Sequence, residues 1–404
     1  MTGIVIVGAG MAGARACINL RAADYQGPIT LIGEEVHLPY DRPPLSKASI
    51  VEEAEPSPVW LLEPDIVASL KVETKLGAPV KSIDRTAKQV LLDDGSRVAY
   101  DKLVLATGAK PRRLPGAGGE HALTLRDHRD TIELRRRFAP GQRVVVIGGG
   151  FIGLELASSA IKRGCIVSLV EMQPRILMRG VPESIAAIVH QRHVDAGVQM
   201  LTGVTIASIS ANAVTLGDGR VIGADTIIAG IGAAPEIRLG QEAGLAIENG
   251  IACNDRMQTS DADIYAAGDC CSFPHDLFGG RRIRLESWRS AQEQAASAVQ
   301  NLLGIGKPHV AVPWFWSDQY DLSLQIAGMP DMGSKVVLRK PAADVLINFH
   351  LADDATLVGV SGIGPGNTIA RDVKLGEMMI ARRVKPDPAI LADPQEPLKN
   401  LARS

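Results

Sequence analysis

Gly8-Ala9-Gly10-Met11-Ala12-Gly13, entered from the apolar run Ile4-Val5-Ile6-Val7, decides the fold of this chain. A second copy, Gly148-Gly149-Gly150-Phe151-Ile152-Gly153, follows Val144-Val145-Val146-Ile147 and begins 140 positions later. In such a strand-to-helix turn the first glycine (Gly8, Gly148) makes the tight turn. The second (Gly10, Gly150) lets backbone approach a pyrophosphate, and the third (Gly13, Gly153) packs helix on strand. The pyrophosphate rests on the helix N-terminus, where free N–H groups and the dipole favour negative charge. An acid at the end of the next strand binds ribose hydroxyls, and Ile29-Thr30-Leu31-Ile32-Gly33 delivers Glu34 as Ile166-Val167-Ser168-Leu169-Val170 delivers Glu171. Two turns, each with its acid, predict two nucleotide cofactors in one chain. That is what a flavoprotein needs if it accepts electrons from a nicotinamide.

Length and composition agree with this reading. A chain of 404 residues is too long for one ordinary core and predicts two or three domains. A hydrophobic fraction of 46% with 41 glycines suits an α/β protein, and a net charge of -2 argues against a nucleic-acid partner. No apolar run reaches the roughly 20 residues of a membrane span, and the N-terminus shows no basic leader, so a cytoplasmic protein is expected. Cys17, Cys165, Cys253, Cys270 and Cys271 have no C-x-x-C or metal spacing and read as reduced, mostly buried thiols.

The halves repeat beyond the glycines. Val90 to Val98 reads as a hairpin turning at Asp94-Gly95 and leads to the buried strand Leu103-Val104-Leu105-Ala106. Val214 to Ile222 turns at Asp218-Gly219 and leads to Thr226-Ile227-Ile228-Ala229. Asp263 to Ala267 predicts another parallel strand, ending near Asp269, and residues 287–303 predict a packed helix. A β-richer region starts near residue 310. The fold class expected is α/β, with two Rossmann-like dinucleotide-binding domains and a C-terminal α/β domain. The boundaries expected are 1–110 with 240–310 for the first, discontinuous domain, 111–239 for the second and 311–404 for the third.

Four further stretches carry a family resemblance: His37 to Lys47 (HLPYDRPPLSK), Leu105 to Arg112 (LATGAKPR), Ala267-Gly268-Asp269-Cys270, and Pro313 to Gln319 (PWFWSDQ). With the two fingerprints they make the whole chain resemble the flavin-dependent NADH:ferredoxin reductases of bacterial oxygenase systems, a group that includes the biphenyl and toluene dioxygenase reductase components. The resemblance implies the two-dinucleotide-domain fold of the glutathione reductase type. It implies FAD on the first fold, held by Gly8, Gly10, Met11, Ala12, Gly13, Glu34, Arg42, Lys47, Val80, Ala106, Thr107, Gly108, Arg126, Asp269, Glu286, Ser287 and Trp288. It implies NADH on the second, held by Gly148, Gly150, Phe151, Ile152, Gly153, Glu155, Glu171 and Gly232. Asp269 would bond the ribityl chain.

Hydride transfer from nicotinamide to flavin is mostly a matter of positioning. Glu155 is expected on the first turn of its helix, where the dipole favours an anion by roughly 0.3–1 kcal/mol. By the resemblance it pairs with Lys47 at the flavin edge, and Trp316 closes over the flavin face. These three are the expected catalytic residues. Glu171 favours NADH over NADPH because a carboxylate repels a 2′-phosphate, and Arg175 nearby weakens that preference. Disulfide reductases of this fold carry a cysteine pair beside the flavin, whereas Pro39 to Ile50 contains no cysteine. Electrons must therefore leave one at a time to a soluble carrier, for which an iron–sulfur ferredoxin serving aromatic hydrocarbon catabolism is the best match. Arg281, Arg282, Arg284 and Arg289 form a basic cluster able to steer an acidic carrier. The alternatives are an NADH oxidase, a rubredoxin or quinone reductase, or a flavin redox switch similar to apoptosis-inducing factor.

Overall fold

The computed structural model describes residues 2–402. The chain forms two compact units: residues 2–41, 58–110 and 234–313 make the first, and residues 42–57, 111–233 and 314–402 make the second.

In the first unit five parallel strands lie in the order Ile264–Ala266, Lys102–Leu105, Ile4–Val7, Ile29–Ile32, Val72–Lys75. The three central strands are almost wholly buried, as apolar runs covered on both faces must be. Helix Met11–Ala22 packs against helix Trp288–Leu302, so the chain completes this fold only after residue 260. The strand order reverses beside Ile4–Val7, and at such a switch point ligands collect outside the carboxyl ends of the strands. The hairpin turning at Asp94-Gly95 is present as part of a separate antiparallel sheet, Val80–Asp84, Gln89–Leu92 and Arg97–Ala99.

The second unit repeats the plan. Its parallel sheet runs Gln199–Thr202, Ile166–Glu171, Arg143–Ile147, Thr226–Ala229, Ala122–Leu123, and Ala213–Leu216 pairs with Val221–Gly223 across the second Asp-Gly turn. Residues 314–365 add a five-stranded antiparallel sheet in the order Trp314–Gln319, Leu322–Gly328, Leu357–Pro365, Val345–Leu351, Lys335–Ala342, covered by helix Ala370–Ala381. One apolar cluster runs through this unit, joining Leu154, Leu169 and Ile185 to Leu324, Ile326, Leu346 and Ile363. Ile50 belongs to it too, which ties the short 42–57 segment into this core. Among the described residues no helix is long and apolar enough to cross a membrane, and no cluster of His, Cys, Asp and Glu could hold a metal.

Burial pushes the imidazoles of His193, His309 and His350 each down to about 4. In the unfolded chain they titrate near 6.5, so between those values unfolding takes up protons and stability falls as pH falls. Full stability is expected above about pH 6.5, with each histidine withdrawing on the order of 3 kcal/mol as pH drops toward 4. Urea unfolding followed across that range checks this; a flat midpoint would show that these rings protonate in place.

Candidate functional site

The first fingerprint folds as its chemistry requires. Gly8 has φ +115°, and a Cβ there would meet the Ala106 carbonyl oxygen at 2.1 Å. A Cβ on Gly13 would meet the Gly8 carbonyl oxygen at 1.9 Å, so this contact fixes helix against strand. Gly10 differs from both. Its backbone is extended (φ -94°, ψ -160°), which any residue can adopt, and a Cβ there would meet nothing within 4 Å. Nothing in the protein explains a glycine here. A ligand that must come close to backbone does. The helix behind it has no side-chain cap and no acid in its first turn, so the N–H groups at its start get no acceptor from those sources.

The second fingerprint shows the same three behaviours. Gly148 has φ +107°, a Cβ on Gly153 would lie 2.1 Å from the Gly148 carbonyl oxygen, and Gly150 faces open space apart from the Gly230 carbonyl at 3.8 Å. Helix Phe151–Lys162 is also without a side-chain cap. Both turns thus fit the pyrophosphate of a dinucleotide. Met11 and Ala12 begin the first helix. Phe151 packs on Phe315 at 4.2 Å between ring centroids, and Ile152 is exposed.

The other expected FAD contacts in the first unit gather near its strand ends. Ala106 is buried, and Thr107 Oγ1 donates to the Glu236 carbonyl at 2.7 Å while the Gly108 carbonyl accepts the Glu236 N–H at 2.9 Å. Glu34 is exposed after its strand, Val80 is buried in the hairpin sheet, and Asp269 is half-buried just past Ile264–Ala266. Ser287 caps helix Trp288–Leu302 through the Ser290 N–H, and Trp288 Nε1 donates to Asp41. Glu286 is paired with Arg284 at 2.6 Å. Asp41 was absent from the expected set.

Arg42, Lys47 and Arg126 belong to the second unit. Arg42 donates to the Arg126 carbonyl. Lys47 Nζ lies 2.8 Å from Glu155 Oε2, with Glu155 only 5% exposed. Ser46 donates to the same carboxylate oxygen, and Ser317 Oγ donates to the other, Oε1, at 2.6 Å. A buried carboxylate thus receives an ammonium and two hydroxyls, which offsets its loss of hydration. The helix starts at Phe151, so Glu155 is its fifth residue and sits beyond the first turn. Its neighbours hold the charge, and the dipole contributes little that far in. Ser46 and Ser317 were missed as site residues; the signal was period-two alternation, which puts Ser317 and Gln319 on one strand face and Trp314 and Trp316 on the other. Trp316 stacks on Trp314 at 5.3 Å.

Glu171 Oε2 accepts the Gly149 N–H at 2.7 Å and Oε1 accepts the Gln173 N–H at 2.7 Å, so its carboxylate is fixed against the glycine turn. Arg175 donates to the carbonyls of Ile176, Leu177 and Val181 at 3.0–3.1 Å, clamping its own loop. Gly232 is exposed with φ +96°. In the basic cluster Arg282 pairs with Glu248, Arg284 with Glu286 and Arg289 with Glu293, while Arg281 is exposed. All five cysteines are buried and unbridged.

Two dinucleotide turns on two parallel sheets define a pyridine-nucleotide-dependent oxidoreductase. The chain belongs to the pyridine nucleotide-disulphide oxidoreductase family, which matches residues 2–295, followed by a reductase C-terminal domain over residues 314–402. It is 39% identical over 402 residues to the ferredoxin–NAD(+) reductase component of the anthranilate 1,2-dioxygenase system of Burkholderia cepacia, covering 98% of each chain. It is 40% identical over 332 residues to a rubredoxin–NAD(+) reductase of Pseudomonas putida, covering 80% of this chain and 86% of that one. The crystal structure of the covalent putidaredoxin reductase–putidaredoxin complex superposes with a TM-score of 0.92 at 35% identity, covering 99% of this chain and 98% of that one. The chain is thus a flavoprotein of the ferredoxin–NAD(+) reductase kind, with FAD and NADH as its cofactors.

Proposed function

We propose that this chain passes electrons from NADH through FAD, one at a time, to a soluble iron–sulfur ferredoxin that feeds an oxygenase. The observation that carries this reading is the Lys47–Glu155 pair, in a segment where disulfide reductases of this fold keep their thiols and this chain has none. When bound, FAD would supply hydride acceptance and single-electron release, and the residues would bind it, orient it and keep water out. Lys47 would present a cation to the flavin, with Glu155, fixed by two serines, aiming it, and Trp316, stacked on Trp314, would shield the flavin from water. Likeness to an oxygenase-system reductase and to a reductase solved with putidaredoxin supports a ferredoxin as the outlet.

The test is NADH-driven reduction of cytochrome c with and without a ferredoxin, beside oxygen uptake. Strong ferredoxin dependence is expected, with rates falling as salt screens Arg281 and its neighbours. NADH oxidation without the carrier, matched by oxygen uptake, would make the chain an oxidase. The rubredoxin–NAD(+) reductase likeness favours a second reading, and faster reduction of rubredoxin than of any ferredoxin would establish it.

Selectivity for NADH follows from Glu171 and Arg175 together. The carboxylate meets a 2′-phosphate with like charge, and the guanidinium that could offset it is committed to three carbonyls. Like-charge juxtaposition costs several kcal/mol, so kcat/KM is expected to favour NADH by roughly 10²-fold. Comparable values for the two nucleotides would show that Arg175 leaves its clamp.

A further inference from the structure

A continuous line of polar groups leaves Glu155 on the side away from Lys47, and the chemistry of its members fixes the direction of every bond. The Ser317 hydroxyl donates to Glu155 Oε1, 2.6 Å away, which uses its single proton. Ser317 Oγ must then accept from the Gln319 amide nitrogen at 3.2 Å. That turns Gln319 Oε1 toward His193 Nε2, 2.8 Å away, which must donate. A neutral imidazole with its proton on Nε2 has an acceptor at Nδ1, and the Tyr320 hydroxyl lies 3.1 Å from it. Ser317, Gln319 and His193 are all at most 5% exposed.

The surroundings keep every member in the required form. Burial pushes His193 down to about 4 and Tyr320 up to about 12, so at neutral pH the imidazole is uncharged and the phenol keeps its proton. Arg192 lies 4.4 Å above the Tyr320 ring, and its positive charge adds a smaller push against a charged His193. An amide cannot hand on a proton without giving up its amide form. Gln319 therefore stops proton conduction and leaves the line able only to align dipoles.

We propose that Tyr320, His193, Gln319 and Ser317 are positioning residues, a one-way donor chain that holds the Glu155 carboxylate aimed at Lys47. This rests on the reading of Lys47 and Glu155 as the pair that acts at the flavin. Donors aligned head to tail polarise one another and converge on one anion.

The test has three parts, all on the holoenzyme. Nitrogen-15 NMR of histidine-labelled protein should show His193 neutral, with its proton on Nε2; a proton on Nδ1 would overturn the chain. In infrared spectra Ser317→Ala and Gln319→Leu should each shift the carboxylate stretch that Glu155→Gln removes, and Ser317→Thr should restore the wild-type spectrum. Flavin reduction by NADH should slow about tenfold in Ser317→Ala, the share of one hydrogen bond to a charged group. If Glu155→Gln slows flavin reduction while Ser317→Ala and Gln319→Leu keep the wild-type carboxylate stretch and the wild-type rate, the donor chain falls and the catalytic pair stands. If Glu155→Gln leaves the rate unchanged, the reading beneath it falls, and the NMR and infrared results still decide the chain.

Discussion

Gly10→Val is expected to purify as a folded, colourless protein. The backbone at this position is extended and a Cβ there meets no atom within 4 Å, so the substitution disturbs no packing in the polypeptide. The cost to the fold is the poorer cap, roughly 1 kcal/mol. A branched side chain would nonetheless stand where backbone amides must approach the FAD pyrophosphate. Losing about two charge-assisted hydrogen bonds weakens FAD binding by roughly 10²–10⁴-fold. Flavin absorbance per protein, read beside the thermal unfolding of the apoprotein, separates the two effects. Gly13→Ala is the contrast, because its Cβ would strike the Gly8 carbonyl, so it should lose fold and colour together. Gly150→Val should stay yellow and fail to oxidise NADH. A stoichiometric yellow Gly10→Val would remove the first turn from FAD binding.

Lys47→Met is expected to slow flavin reduction by NADH on the order of 10²-fold, the usual cost of losing one preorganised electrostatic partner. It also leaves Glu155 buried with only Ser46 and Ser317 as donors. Removing one member of a buried ion pair costs about 3–5 kcal/mol, lessened here because Lys47 is 27% exposed and the serines remain. Stopped-flow bleaching of the flavin at saturating NADH gives the rate, and denaturant unfolding gives the stability. With Glu155→Gln the two should fail to add, since the residues act as one unit. An unchanged bleaching rate in Lys47→Met would take Lys47 out of the chemistry.

The two glycine turns were legible because their constraints are local. A tight turn, a backbone that must be bare and a helix packed on its own strand all fall within six residues. The Asp-Gly hairpins and the helix over 287–303 were legible for the same reason. The pairing of Lys47 with Glu155 was reached by resemblance and not by spacing, since 108 positions separate them. Ser46 stands in the same stretch as Lys47, and a serine shows its use only when its acceptor, here Glu155, is known. His193 and Tyr320 carried no signal. A lone histidine in a helix reads as a core residue until Gln319 stands opposite it.

By itself the sequence determined two dinucleotide folds, their order along the chain, and the absence of a thiol pair beside the flavin segment. Only tertiary structure decided which oxygens of Glu155 meet which donors, that Arg175 is committed to its own loop, and that the 42–57 segment shares a core with residues 314–402. The physical reason is range. Backbone geometry is set by neighbours a few residues away, whereas the charge and direction of a buried side chain are set by whatever the fold brings within 3 Å of it.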